Sequence, residues 1–156
     1  MRFLKYLGYA LATLVVAAAI AYLLRSDPIG PIAGKALSGP VASASLDASS
    51  CDGHMLTAIE SRPDDPHSVT TLCFVMHDHI YVPAANGSEK AWPQYVLDDS
   101  RVRLKVGEQI FLAHAQRDTT TPRETVIAAI SEKYAQMAER ASDAPDDVWL
   151  FKLTPR

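Results

Sequence analysis

Several side chains could do chemistry by type and spacing alone. His77 and His79 stand two apart, a spacing that puts two imidazoles on one face of a strand. His54 and His67 could extend them into a metal-ligand set. Against this, His77-Asp78-His79 interrupts two apolar runs, and Asp78 is a turn former. A turn there would part the two rings, so no metal site is assigned. Ser50-Cys51-Asp52-Gly53-His54 sets a thiol three residues from an imidazole, but no hydrolase pattern surrounds it. No Gly-x-Ser-x-Gly, Walker loop or dinucleotide fingerprint occurs, and no catalytic residue is assigned. The two cysteines, Cys51 and Cys73, show no CxxC spacing. Cys73 sits in an apolar strand pattern and reads as a small buried side chain. Whether it meets Cys51 is open at this level.

These residues lie in a chain whose first part has a different character. Arg2 and Lys5 precede an uncharged run from Tyr6 to Leu24, which Arg25 closes. At about 1.5 Å per residue the run predicts a helix matching the roughly 30 Å of a bilayer core. The basic N-terminus predicts that this end stays inside the cell and the remainder lies outside. The expected location is a cytoplasmic (inner) membrane, with the globular part periplasmic if the cell is Gram-negative. The run is longer than a signal-peptide core, and its small-residue sites lie inside it, so an uncleaved single-pass anchor is expected over residues 1–25.

Residues 26–50 hold Pro28, Gly30, Pro31, Gly34, Gly39 and Pro40 and predict a linker with an irregular lead-in. Residues 51–156 predict one globular domain. The whole chain has 15 Lys and Arg against 18 Asp and Glu. Setting aside Arg2, Lys5 and Arg25 leaves 12 against 18, which argues against a nucleic-acid partner.

Met55–Glu60 predicts a strand, 62–67 a loop, and Val69–Met76 one buried strand. A hairpin turn at His77-Asp78-His79 leads to Ile80–Val82, and 83–90 is a loop with Asn86-Gly87 suited to φ > 0. Trp92–Leu97 predicts a short helix with Pro93 near its start. Arg101–Val106 alternates polar and apolar residues, so Val102, Leu104 and Val106 face a core. Gln109–Gln116 returns beside it after a turn at Gly107-Glu108. Thr121-Pro122-Arg123-Glu124 has the form of a capping box. The helix after it carries Val126, Ile127, Ile130, Tyr134 and Met137 on one face. Asp143–Asp147 breaks that helix, and Val148–Leu153 is a last strand with Trp149 and Phe151 on one side. About six short strands, hairpin-linked, with one short and one longer helix predict a mainly β (α+β) fold: a small antiparallel barrel with an accessory helix.

The stretch from Ser68 to Lys105 resembles the split β-barrel flavin-binding families, and among them most nearly the deazaflavin-dependent nitroreductase-like proteins. The resemblance lies in Val69-Thr70-Thr71-Leu72-Cys73-Phe74-Val75, Ile80-Tyr81-Val82-Pro83, Ala85-Asn86-Gly87-Ser88, Ala91-Trp92-Pro93, Leu97-Asp98-Asp99-Ser100 and Val102-Arg103-Leu104. It implies an oxidoreductase using FMN or a related flavin or deazaflavin, working as a homodimer. Residues implied to hold the cofactor are Arg62, Ser68, Thr70, Asn86, Gly87, Ser88 and Lys90, with Trp92 as a wall for a ring. These supply the hydroxyls, close backbone approach and cation that a phosphate requires. The loop 62–68 has one Arg and two Asp, which departs from the basic phosphate loop frequent in these families. The alternative is a non-catalytic binding or interaction module on the same barrel.

Overall fold

The computed structural model describes residues 2–134 and 145–156. The helix α1 spans Arg2–Leu24. Of its side chains, those of 6–20 and Tyr22 are described, and Tyr6, Leu7, Tyr9, Leu11, Leu14, Val15, Val16, Ile20 and Tyr22 are all exposed. Among the described residues no helix is long and apolar enough to cross a membrane. The expected crossing by Tyr6–Leu24 is therefore not carried by the described residues, which omit the side chains at 21, 23 and 24 of that run.

The seven strands are β1 (Thr57–Ser61), β2 (His67–Thr71), β3 (Phe74–Met76), β4 (His79–Ala85), β5 (Arg101–Val106), β6 (Gln109–Asp118) and β7 (Val148–Pro155). The helix α2 (Ala91–Asp98) joins β4 to β5, and α3 (Arg123–Lys133) follows β6. All strands pair antiparallel in one sheet ordered β2-β1-β5-β6-β7-β4-β3. The alternation read in 101–106 is realised, with Val102, Leu104 and Val106 buried.

The predicted single strand Val69–Met76 is instead two strands. β2 pairs with β1 and β3 pairs with β4, at opposite ends of the sheet order. Only Leu72 and Cys73 separate them in the chain. Two residues span less than about 8 Å, so the sheet must curl until its ends meet. Thr71 Oγ1 donates to the Pro83 carbonyl of β4 across that junction, at 3.2 Å. A run of β-branched and apolar residues cannot show this break, because both halves have strand character.

The curl encloses a core that includes Ile59, Cys73, Val82, Trp92, Val96, Val102, Leu104, Phe111 and Phe151. A second cluster, Phe74, Met76, Tyr81, Val126 and Leu150, lies where α3 packs on the sheet. Cys51 and Cys73 are joined in a disulfide, both sulfurs inside the first core. Cys73 is buried, as its strand pattern predicts, and the pairing left open by the sequence is made. Ser50 and Cys51 belong to a short 3-10 turn, 48–51, which brings Cys51 to the strand break.

The capping box before α3 does not form. Pro122 is the cap and makes no side-chain hydrogen bond. Thr121 Oγ1 donates instead to Asp118 Oδ2 at 2.6 Å. The nearer carboxylate wins over the helix amide as the partner of that hydroxyl. Of the predicted apolar face, Val126 is buried and Ile127 and Ile130 are half-buried; Tyr134, also buried, lies just past the end of the helix, and Met137 lies outside the described residues.

Residues 26–50 run along the sheet. Gly34 bridges Ser68 and Val41 bridges Ile110, and Leu37 and Leu46 are buried. The segment is pinned by two acids. The Asp27 carboxylate accepts from Lys105 Nζ at 2.7 Å and from the N–H and hydroxyl of Ser38, both at 2.7 Å. The buried Glu60 carboxylate accepts from the Leu37 N–H at 2.5 Å and from Arg103 at 2.9 Å.

Candidate functional site: a groove at the barrel split

β3 pairs with β4 only along 79–81. Beyond that, no strand among the described residues pairs with the same edge of β4, while its other edge continues on β7 to Ala85. Pro83 sits in this open stretch, where its missing N–H breaks no ladder. Facing it are residues 69–72 of β2 and its exit. Between them lies a groove of about 390 Å³, lined by Val69, Thr70, Thr71, Leu72, Pro83, Ala84, Ala85, Lys90 and Trp92. Its outer wall is a small hairpin, Ile29–Ile32, which presents Gly30, Pro31, Ile32 and Ala33. Gly30 turns it with φ +54.

The structure brings three of the implied cofactor residues to this groove: Thr70, Lys90 and Trp92. Lys90 is exposed just before the first turn of α2 and makes no ion pair among the described residues. Trp92 is only 5% exposed and packs on Phe151 with ring centroids 5.1 Å apart. It is a core residue with one edge at the groove rather than a free ring wall.

The other five sit elsewhere. Arg62, at φ 58, pairs with Asp65 at 2.6 Å and lies over the Tyr95 ring at 4.4 Å. His67 meets the same ring edge-on, and burial, with Arg62 beside it, lowers its pKa. The Ser68 side chain is fully buried, and its hydroxyl has no partner among the described residues. Its backbone exchanges hydrogen bonds with Gly34. Asn86 takes the left-handed conformation foreseen, at φ 53. Gly87 is needed for a different reason: a Cβ there would stand 2.3 Å from Trp149 Cγ. Ser88 gives its N–H and hydroxyl to Asp147, at 2.9 and 2.6 Å, and this hydroxyl holds the Asp147 carboxyl below its usual range. The phosphate cradle implied by resemblance is thus not assembled at the groove. His77 and Asp78 take φ 49 and 61 and form the tight turn expected.

Sequence reasoning missed the hairpin wall. Its signal was the spacing of Pro28, Gly30, Pro31 and Gly34, which reads as a linker. At Gly34 a Cβ would meet Ser26 O at 2.3 Å and Pro28 N at 2.6 Å. The glycine lets the chain fold back on itself and hold the hairpin in place. Also unforeseen is the dock of α3 on the strand break. Lys133 Nζ donates to the Cys51 carbonyl and, at 2.8 Å, to the Cys73 carbonyl. Tyr134 OH donates to the same Cys73 oxygen at 2.8 Å. Burial lowers the Lys133 pKa and raises that of Tyr134.

As a ligand site, the groove falls at the lower end of the roughly 300–1,000 Å³ range of small-molecule pockets. It is mostly apolar, with hydroxyls on one strand and one cation at the rim. That donor set fits a flat ring system carrying an acidic tail met by Lys90. It does not fit a fully wrapped dianion.

No protein-family model and no characterised relative matches this sequence. Solved structures do. A Listeria innocua protein named for a pyridoxamine 5'-phosphate oxidase superposes with a TM-score of 0.52 at 15% identity, covering 69% of this chain and 89% of its own. The heme storage protein HutZ of Vibrio cholerae gives 0.53 at 13% identity, with coverages of 69% and 85%. The conserved hypothetical protein Rv2991 of Mycobacterium tuberculosis gives 0.53 at 15%, with 67% and 74%. Likeness at these identities concerns the backbone, and together with the curled seven-stranded sheet it establishes that this chain has the split β-barrel fold that these structures share.

Proposed function

We propose that the chain is a membrane-tethered split-barrel protein that binds a flavin or deazaflavin in the groove between β2 and β4 and serves as an oxidoreductase. The observation that carries the reading is the groove itself, an open and mostly apolar slot at the split of this fold with Lys90 at its rim. Lys90 would meet the acidic tail, Thr70 would offer a hydroxyl, and Leu72, the edge of Trp92 and the 83–85 backbone would flank the ring. A bound flavin supplies hydride chemistry; the chain orients it and excludes water from one face. The test is titration of the full chain, in detergent, with FMN, FAD and riboflavin while flavin fluorescence is followed. Saturable quenching at micromolar flavin supports the reading, and its absence from a folded sample removes it.

A second reading is a non-catalytic binding module. It is favoured by the commitment of Arg62, Ser68 and Ser88 to partners or burial within the chain. A folded sample with a ligand but no flavin affinity would establish it.

For location, we propose an inner-membrane anchor with the barrel outside the cytoplasm. Two features support it. The uncharged run Tyr6–Leu24 is flanked by Arg2, Lys5 and Arg25, and its described apolar side chains find no cover in the chain. The Cys51–Cys73 disulfide suits an oxidising compartment. A homodimer is part of the proposal; sedimentation of the detergent-solubilised chain tests it.

A further inference from the structure

We propose that the Ile29–Ile32 hairpin and Leu56 form a surface that seats on the lipid bilayer, so that the groove opens against the membrane. This rests on the anchoring reading above. Three observations place the surface. Only four residues, 25–28, separate α1 from the hairpin, and three of them are tied to the domain. Arg25, one residue past α1, donates from its guanidinium to the Ala33 carbonyl at 2.5 Å and lies 4.2 Å over the Tyr22 ring. The Ser26 carbonyl accepts from the Lys35 N–H at 2.6 Å, and Asp27 is held by Ser38 and Lys105. Wherever α1 ends, the hairpin is held within a few residues of it.

The hairpin and its neighbour are apolar and uncovered. Ile29 is 61% exposed, Ile32 39% and Leu56 60%. Leu56 lies beside Pro28 in a second cavity of about 270 Å³ that shares Thr70 with the groove. Ile32 thus lines the groove and Leu56 the adjoining cavity, with Thr70 common to both, while Ile29 pairs with Ile32 across the hairpin. Apolar surface left in water costs roughly 25 cal/mol per Å², and a bilayer removes that cost. The hairpin follows α1 in the chain after four residues, and the exposed leucines, valines and tyrosines of α1 call for the same surroundings. Arg25 and Lys35 stand beside the hairpin, where an anionic headgroup would meet them.

The test uses the full chain reconstituted in vesicles of phosphatidylcholine and phosphatidylglycerol. The native cysteines are paired, so Ile29→Cys, Leu56→Cys and Asp78→Cys each offer one labelling site. Positions 29 and 56 are exposed, so these changes leave the core intact. Asp78, in the turn before β4, lies at the opposite end of that strand from the groove. Each variant carries a fluorophore, and the quencher is a phospholipid with a nitroxide near its headgroup. Quenching several-fold stronger at 29 and 56 than at 78 is expected. Equal quenching at all three sites, in samples that float with the vesicles, overturns the proposal while leaving the anchor in place. Labels at 29 and 56 that are shielded from both lipid and water-soluble quenchers, in a sample that sediments as a dimer, overturn it in favour of a second copy of the chain. Failure to float removes the anchoring reading and this proposal with it.

Discussion

Lys90, Ser68 and Gly87 differ in what each can lose. Lys90 is exposed at the groove rim and makes no ion pair among the described residues, so Lys90→Ala is expected to leave stability unchanged and weaken FMN about tenfold, the loss of one charge-assisted contact of about 1.4 kcal/mol. Fluorescence titration checks it; unchanged affinity would move the site elsewhere. Ser68 is buried, and its hydroxyl has no partner among the described residues. Ser68→Ala is expected to be neutral or to stabilise by up to about 1 kcal/mol, because an unsatisfied buried donor is costly, and to leave flavin affinity intact. Urea melts and the same titration separate these outcomes. Gly87→Ala places a Cβ against the Trp149 ring and is expected to cost about 1–3 kcal/mol through overpacking. Residue types in the 86–88 turn were legible in the sequence. Their commitments were not, because the partners Asp147 and Trp149 lie about sixty residues away in the chain.

At the scale of elements, two devices join distant segments. The disulfide ties the 3-10 turn to the break between β2 and β3, its ends 22 positions apart in sequence. On the chain-entropy view, Cys51→Ser/Cys73→Ser is expected to cost about 3 kcal/mol, read as a lower urea midpoint that reductant reproduces in the parent chain. Asp118 organises the approach to α3. The Thr121 hydroxyl, with the Thr120 N–H and hydroxyl, holds its pKa at about 2, against about 3.9 in an unfolded chain. A depressed carboxyl stabilises the fold fully above its unfolded value, and that contribution fades as pH falls through the folded one. The opening free energy of α3, read from amide exchange after division by the intrinsic exchange rate at each pH, is therefore expected to fall between about pH 4 and pH 2 in the parent, and to be low and flat across that window in Asp118→Ala. The strands and helices were mostly legible from periodicity. The break at 72–73 was not, because apolar runs carry no record of which partner each half pairs with. The capping box misled for a similar reason: it reads local spacing, while Thr121 answers to a carboxylate on β6.

For the whole molecule, the expected behaviour is that of an anchored, exported barrel. The full chain should pellet with membranes and resist high-pH extraction, and a C-terminal alkaline phosphatase fusion should be active. Release by alkali, or an inactive fusion, would count against the anchor or its orientation. What the sequence by itself determined is what depends on neighbours along the chain: the uncharged run before Arg25, the alternation of Arg101–Val106, the turns at His77-Asp78 and Asn86, and the antiparallel order that local hairpins impose. The tertiary structure decided what depends on closure. A two-residue link between opposite ends of the sheet order forces the sheet to curl. The short β3 leaves the edge of β4 open at Pro83, and the Pro/Gly segment folds back to become the outer wall of the groove. Each of these arises from contacts made across the chain, and such contacts leave no periodic trace in the order of its residues.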